Sequence, residues 1–312
     1  MGPVSSIFFR IGVNMNSLSL KNGTGVAEKG VWKWFIFPAL FLVLFVGLGP
    51  LFYSLYISLH QFNLAKTQIP FKFVGLKNYL SILTDPKVLN SFKLTVIFSS
   101  VSVSLELIFG TILALLLIDI VRGRNLFRSV FLIPMVITPI AVGLMGRYIF
   151  DDAVGLVNWL FRVLNLPRII WYGNIKSALI TMMILDVWEW SAFVFLIVLA
   201  GLMAIPAEYY EAAKVEGAGV FTTFFKITVP TIRNVYMLAI LIRVIDTFKE
   251  FDKIYIMTRG GPDFSTDLLT IRNYTVAFRE YNIGVGSALS ILILLLMIIL
   301  GTFLIRFLRK EY

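Results

Sequence analysis

Six apolar runs, each long enough to cross a lipid bilayer, recur along this chain and leave it few ways to fold. A helix rises 1.5 Å per residue, so about 20 apolar residues cover the hydrocarbon core. Such runs occupy Trp34–Ile57, Leu94–Leu117, Val130–Phe150, Ala178–Met203, Val235–Met257 and Gly284–Phe307. Lipid offers no partner to backbone amides, and the runs lack the in–out alternation of a barrel, so each is predicted to be helical. The expected fold class is all-α, a polytopic membrane protein with six transmembrane helices. Of 312 residues, 58% are hydrophobic and 15% charged, against about 25% charged in a soluble domain.

Several functions are excluded at once. The chain has no cysteine, so it carries no disulfide, thiolate metal site or cysteine nucleophile. His60 is the single histidine, which removes most zinc sites and every serine–histidine triad; it reads as an interfacial residue ending the first span. The net charge of +10 comes from 28 Lys and Arg scattered over short loops. Such cations orient spans and meet lipid headgroups, so membrane lipid is an expected partner and nucleic acid is not. Residues 1–31 are polar and rich in Ser, Asn and Gly, and are expected to be a disordered N-terminal tail. The run from Trp34 lacks a small-residue cleavage site after a short core, so it is expected to stay as the first span. Residues 32–312 then form one transmembrane domain.

A long semi-polar loop, 206–230, interrupts the apolar pattern. Pro206 stops the fourth run, and Ala207–Val215 consists of good helix formers with Glu208 and Glu211 early, where a helix N-terminus favours acids. Gly217 and Gly219 flank Ala218 and allow a sharp turn. Phe221, Phe224 and Phe225 give a second short helix an apolar face before Pro230. The loop is expected to be a helix–turn–helix elbow that fits a partner's groove. A helix lying on lipid would be rich in Lys and Arg, whereas Glu208, Glu211 and Glu216 here stand against Lys214 and Lys226.

The pattern formed by Glu211, Ala212, Ala213, Gly217, Ala218, Phe224, Ile227 and Pro230 resembles the cytoplasmic coupling loop, the Glu-Ala-Ala motif, of binding-protein-dependent ABC importer permeases. The resemblance covers about residues 34–308. It implies the type I importer permease fold, with this loop seated in a cleft of a separate ATPase. It also implies a second permease subunit forming a heterodimer, a dimer of ATP-binding subunits and an extracytoplasmic sugar-binding protein. Glu216 stands where the family more often has Asp, which keeps the charge and adds one methylene. The chain holds no GxxxxGK[S/T] run, so ATP and Mg belong to the partner ATPase and no cofactor is expected here.

Arg243, Asp246, Thr247, Lys249, Glu250, Asp252 and Lys253 crowd the fifth run. An ionised side chain at mid-bilayer costs about 2.5–3.5 kcal/mol on insertion scales, so these cannot face lipid. Arg243, Asp246/Thr247 and Glu250 recur at helical spacing and predict one stripe. Two uses stay open: a polar path for a solute, or an ion-pair network locking the fifth helix to its neighbours. The stretch from Arg243 to Thr258-Arg-Gly260-Gly261-Pro262 resembles maltose-transporter-like sugar permeases. The resemblance implies sugar contacts at Arg243, Asp246, Thr247 and Glu250, and on the fourth span at Glu189, Trp190 and Phe193. Aromatic rings suit the apolar face of a pyranose, and charged groups suit its hydroxyls. Asp246 and Glu250 replace neutral amides and aromatics of the maltose transporter, which points to another disaccharide, an oligosaccharide or an amino sugar.

Lys and Arg divide almost evenly between the two sides, so the resemblance chiefly sets the orientation, with both termini cytoplasmic in a prokaryotic cytoplasmic membrane. The short Arg122–Arg128 loop and the Arg306–Lys310 tail agree with it, while Lys66, Lys72, Lys77, Lys87 and Lys93 oppose it. Phe73–Tyr79 and Gly155–Asn158 also resemble sugar permeases, on outer loops that would meet the binding protein or serve as surface turns. Pro134 and Pro139 are expected to kink the third span. The reading is a transport subunit, not an enzyme, that moves a di- or oligosaccharide. The alternatives are a polyol-phosphate permease of the same family and a proton-coupled secondary transporter using Asp246 and Glu250.

Overall fold

The computed structural model describes residues 31–65, 71–118 and 124–309. The tail expected over 1–31 lies outside them, apart from Val31. The described residues divide into two compact units between Tyr53 and Ser54. The first holds most of α1 (Val31–Ser58). Its Phe37, Phe41 and Phe45 stack in series at centroid distances of 6.2 and 5.7 Å, as side chains four residues apart on a helix should.

The second unit begins with a short antiparallel pair, β1 (His60–Gln61) and β2 (Lys72–Phe73), in which His60 faces Phe73. Helices α2 (Lys77–Thr84), α3 (Pro86–Ile118), α4 (Arg124–Val136), α5 (Pro139–Ile149), α6 (Leu156–Val163) and α7 (Ile175–Met203) follow. The elbow comprises α8 (Ala207–Val215), α9 (Val220–Thr223), a π-helical turn over Phe224–Thr228 and α10 (Val229–Thr231). Then come α11 (Arg233–Phe248), α12 (Asp252–Met257), α13 (Leu269–Tyr274), a second π turn over Thr275–Arg279, and α14 (Ile283–Arg309).

Among the described residues, α1, α3, α7 and α14 each contain a straight stretch long and apolar enough to cross a membrane. Two bent pairs supply the rest: Leu126–Val136 with Pro139–Ile149, at 93°, and Val220–Thr231 with Arg233–Met257, at 69°. Counting each pair once gives six crossings in an all-α polytopic fold. The 93° bend is the work of Pro139 rather than Pro134, which sits inside α4. Thr138, forced out of helical geometry by the following proline, has ψ 141°, and Pro139 opens α5, where its missing N–H costs nothing.

Helices α3 and α7 form the centre. The buried face of α3 runs through Thr95, Ser99, Ser102, Glu106, Gly110, Ala114 and Leu117, a helical stripe of mostly small residues. It meets Val194, Phe195 and Val198 of α7.

The two asparagines of the outer-loop motifs turn inward. Asn78 Nδ2 donates to the carbonyls of Ser58 and His60, tying α2 to the end of α1. Asn158 accepts from Ile169 N and Trp171 Nε1 and donates to Ile169 O. Both are buried stitches within the chain, while Phe73, Leu76 and Leu156 of the same motifs stay exposed. His60 is likewise buried, its ring stacked 4.5 Å from Phe71. At the end of α5, the backbone amides of Val154 and Ala153 and the Tyr172 hydroxyl hold Asp151 below the usual carboxylate range.

Candidate functional site

The charges of the fifth run are brought together with charges from two other helices. Arg243 of α11 donates to both oxygens of Glu106 on α3, at 2.6 and 2.9 Å, in a bidentate fork. It also reaches Asp186 of α7 at 3.1 Å. Lys253 of α12 binds Asp186, Glu189 at 2.6 Å and Glu250 at 3.2 Å. Asp186 therefore bridges the two cations, and one network ties α3, α7, α11 and α12. Arg243 and Glu189 are 1% exposed, and Glu106 and Asp186 are fully buried.

The expected single stripe does not survive as one helix. Helix α11 stops at Phe248, and Lys249–Phe251 break the run before α12 begins. The break swings Lys253 inward onto the acids of α7, and Glu250 lies in the break rather than one turn beyond Thr247. Thr247 is buried and bonded to Ser99 of α3 at 2.6 Å.

The structure thus sorts the proposed sugar contacts. Glu189, Arg243 and Thr247 are inside the network with their partners. Asp246 is a third exposed and pairs with Lys249 at 3.1 Å, toward the surface. Glu250 is 12% exposed. Trp190 and Phe193 are half-buried, their rings edge to face at 6.1 Å, and the Arg243 guanidinium lies 4.4 Å from the Trp190 centroid. Trp190, Phe193, Asp246 and Glu250 keep part of their surface exposed.

Sequence reading missed Glu106. Its signal was a lone carboxylate within an apolar run, which demands a buried partner. Asp186 and Lys253 were visible but went unassigned, because their pairing crosses more than sixty positions. Among the described residues no group of three His, Cys, Asp or Glu is arranged to hold a metal ion.

The elbow is built differently. Helix α8 carries Glu208 in its first turn and Lys214 in its last, each suited to the local helix dipole. It ends in a Schellman motif: Ala218 N–H bonds to Ala213 O at 2.9 Å and Gly217 N–H to Lys214 O at 3.1 Å. That motif needs a left-handed residue, and Gly217 supplies it with φ +72°. Tyr210 and Thr228 meet through their hydroxyls at 3.3 Å, joining α8 to the π turn. Of the expected coupling residues, Ala213 is buried, Ala218, Phe224 and Ile227 are half-buried, and Glu211, Ala212, Gly217 and Pro230 are exposed. At the tip Val215, Val220 and Phe221 are 90%, 84% and 82% exposed.

Comparisons with known proteins agree with this architecture. Residues 94–311 match the family described as binding-protein-dependent transport system inner membrane component. The trehalose/maltose transport system permease protein MalF of Thermococcus litoralis is 39% identical over 267 residues, covering 84% of this chain and 88% of that protein. The trehalose transport system permease protein SugA of Mycobacterium tuberculosis is 31% identical, covering 88% and 87%. The fold is shared with a bacterial alginate ABC transporter solved in complex with an alginate pentasaccharide-bound periplasmic protein, with a TM-score of 0.75 at 17% identity over 89% of this chain and 94% of that one. The chain belongs to the binding-protein-dependent transport system inner membrane components, as an ABC importer permease and a transport subunit of the membrane.

Proposed function

We propose that this chain is one permease subunit of an ATP-driven importer that carries a sugar, a di- or oligosaccharide, into the cell. A separate ATPase dimer grips the elbow through Glu211, Ala212, Ala213, Gly217, Ala218, Phe224, Ile227 and Pro230. A second, related permease subunit completes a heterodimer, and an extracytoplasmic sugar-binding protein delivers the cargo. Both termini face the cytoplasm. ATP-driven closure of the ATPases moves the elbow and switches access from inward to outward, and the binding protein then releases its sugar into the pathway. Trp190, Phe193, Asp246 and Glu250 meet the sugar, and the buried Glu189, Arg243 and Thr247 hold the helices that carry them.

The observation that carries this reading is the apolar tip of Val215, Val220 and Phe221, held on either side of the capped turn between α8 and α9 and left uncovered. An exposed apolar cluster on a rigid mount is what a docking surface requires. The sugar class is supported by relatives whose names specify trehalose and maltose. The same relatives favour a sugar over a polyol phosphate.

Uptake by the assembled transporter in vesicles tests the reading. Trehalose or maltose is expected to accumulate only with ATP and loaded binding protein, whatever the proton gradient. Accumulation that ignores ATP and collapses with the gradient would select the secondary carrier instead. Uptake of glycerol phosphate in place of either sugar would select the phosphate permease.

A further inference from the structure

A cavity of about 320 Å³ opens beside the turn that follows α12, at the end of the fifth crossing opposite the elbow. Its volume falls in the range of about 300–1,000 Å³ typical of small-molecule sites. Arg259, Asp263, Asp267, Thr275 and Arg279 line it. A larger cavity of about 490 Å³ lies between α3, α7 and the same turn, lined by Leu94, Ile97, Val101, Leu179 and Met183 with Asn90, Lys176, Asp263 and Ser265 at its polar side.

Two of the smaller cavity's four charged residues, unlike those of the buried network, are uncommitted. Asp267 is tied to Arg272 at 3.1 Å, but among the described residues neither Arg259 nor Asp263 has an ion-pair or hydrogen-bond partner for its side chain. Both are held with positive φ, 54° and 45°, alongside Gly260 at 90° and Phe264 at 57°. Residues other than glycine take that conformation uncommonly, aspartate more readily than arginine, and such positions gather where the backbone is constrained for a ligand. Arg279 links the cavity to an aromatic array. Its guanidinium donates to the Tyr255 hydroxyl at 3.3 Å. Tyr255 lies 5.0 Å from Tyr274 and 5.1 Å from Phe251, and Tyr274 lies 5.4 Å from Phe278. These rings are half-buried, and Phe278 is exposed.

Acceptors and donors facing one space, beside the Phe264 ring that also lines it, suit a molecule whose vicinal hydroxyls both give and take hydrogen bonds and whose other face is apolar. An anion would meet Asp263 and Asp267. We propose that this cavity is a saccharide entry site, in which a neutral sugar bridges Asp263 to Arg259 and Arg279 and rests against the Phe264 ring before it reaches Trp190 and Phe193. The assignment rests on the sugar-import reading and adds a second place on the chain where the cargo is held.

The test uses the assembled transporter in lipid nanodiscs, without binding protein, titrated with trehalose, maltose and maltotriose and followed by saturation-transfer NMR. Asp263→Asn and Arg279→Gln, both at exposed positions, are expected to weaken binding of the recognised sugar about tenfold, the loss of one charge-assisted contact. Binding-protein affinity and ATP hydrolysis at saturating loaded binding protein should stay unchanged. Unchanged sugar affinity in both variants would overturn the proposal. So would weaker binding-protein docking with sugar affinity intact, which would make the rim a docking surface. If none of the three sugars binds the nanodiscs while one is still imported with ATP, the entry site is wrong and the import reading stands. If none is imported either, both fall together.

Discussion

The charged network and the elbow are the two polar interruptions of an apolar chain, and they resolve in opposite ways. In the network, Glu106, Asp186, Glu189, Arg243 and Lys253 are each at most 2% exposed and each finds an opposite charge within the chain. In the elbow the backbone ends are satisfied by the Schellman bonds, but Val215, Val220 and Phe221 project without cover. An ionisable residue inside a membrane reads as functional by default. Here most of the ions complete one another, and apolar side chains at the corner of the elbow are left wanting a partner. Saturation within the fold, more than residue type, separates a structural feature from a docking one.

The largest expected effect breaks the network. Arg243→Ala would leave Glu106 and Asp186 facing each other without their shared cation, and losing one partner of a buried pair costs about 3–5 kcal/mol. Thermal unfolding in detergent should show a collapse in folded yield for this variant and for Glu106→Ala. The joint replacement Glu106→Leu with Arg243→Met should recover most of it, because no buried charge is then stranded. An Arg243→Ala protein as stable as the parent would mean that the network holds nothing.

The elbow should fail in the opposite manner. Phe221→Ala removes an exposed ring from a docking tip, and an interface anchor of this kind is worth about 2 kcal/mol or more, roughly a thirtyfold loss of affinity. Co-purification with the ATPase subunit should be lost, while the melting temperature stays that of the parent. Retained ATPase binding would remove the tip from the interface.

The sequence made one of these regions far easier to read than the other. The elbow is local: Pro206, Glu208, Gly217 and Pro230 punctuate one continuous segment, so its helix ends and its turn follow from neighbouring residues. The six crossings were legible for the same reason, since a long apolar run has few alternatives in lipid. The network is not local. Glu106 lies 137 positions from Arg243, and nothing in either neighbourhood names the other. The stripe predicted along the fifth run assumed an unbroken helix, and the break at Lys249–Phe251 redirects Lys253 and Glu250. Asn78 and Asn158 were read as loop surface because their acceptors lie on other segments.

A backbone change separates mounting from docking within the elbow. Gly217 has open space where a Cβ would go, so only its φ of +72° demands glycine. Gly217→Ala should therefore cost about 1–2 kcal/mol of local elbow order, weakening ATPase coupling several-fold and leaving insertion intact. Gly217→Pro, which cannot adopt that φ at all, should stop uptake with the spans still in the membrane. Normal uptake by the proline variant would count heavily against the elbow as the moving part.

The smallest effect lies at the edge of the network, where the comparison is sharpest. Asp246 and Lys249 pair at 3.1 Å with 33% and 55% of their side chains exposed. A pair so open to water is worth about 0–1 kcal/mol, so Asp246→Asn should shift the melting temperature little. If Asp246 is among the groups that meet the sugar, the same change should raise KM for uptake several-fold at unchanged kcat, since neutralising an acceptor weakens ground-state and transition-state contacts alike. Lys249→Ala, which removes only the exposed partner, should move neither. An Asp246→Asn protein that unfolds like Arg243→Ala would place this residue inside the locking network and leave Trp190, Phe193 and Glu250 as the surface that faces the solute.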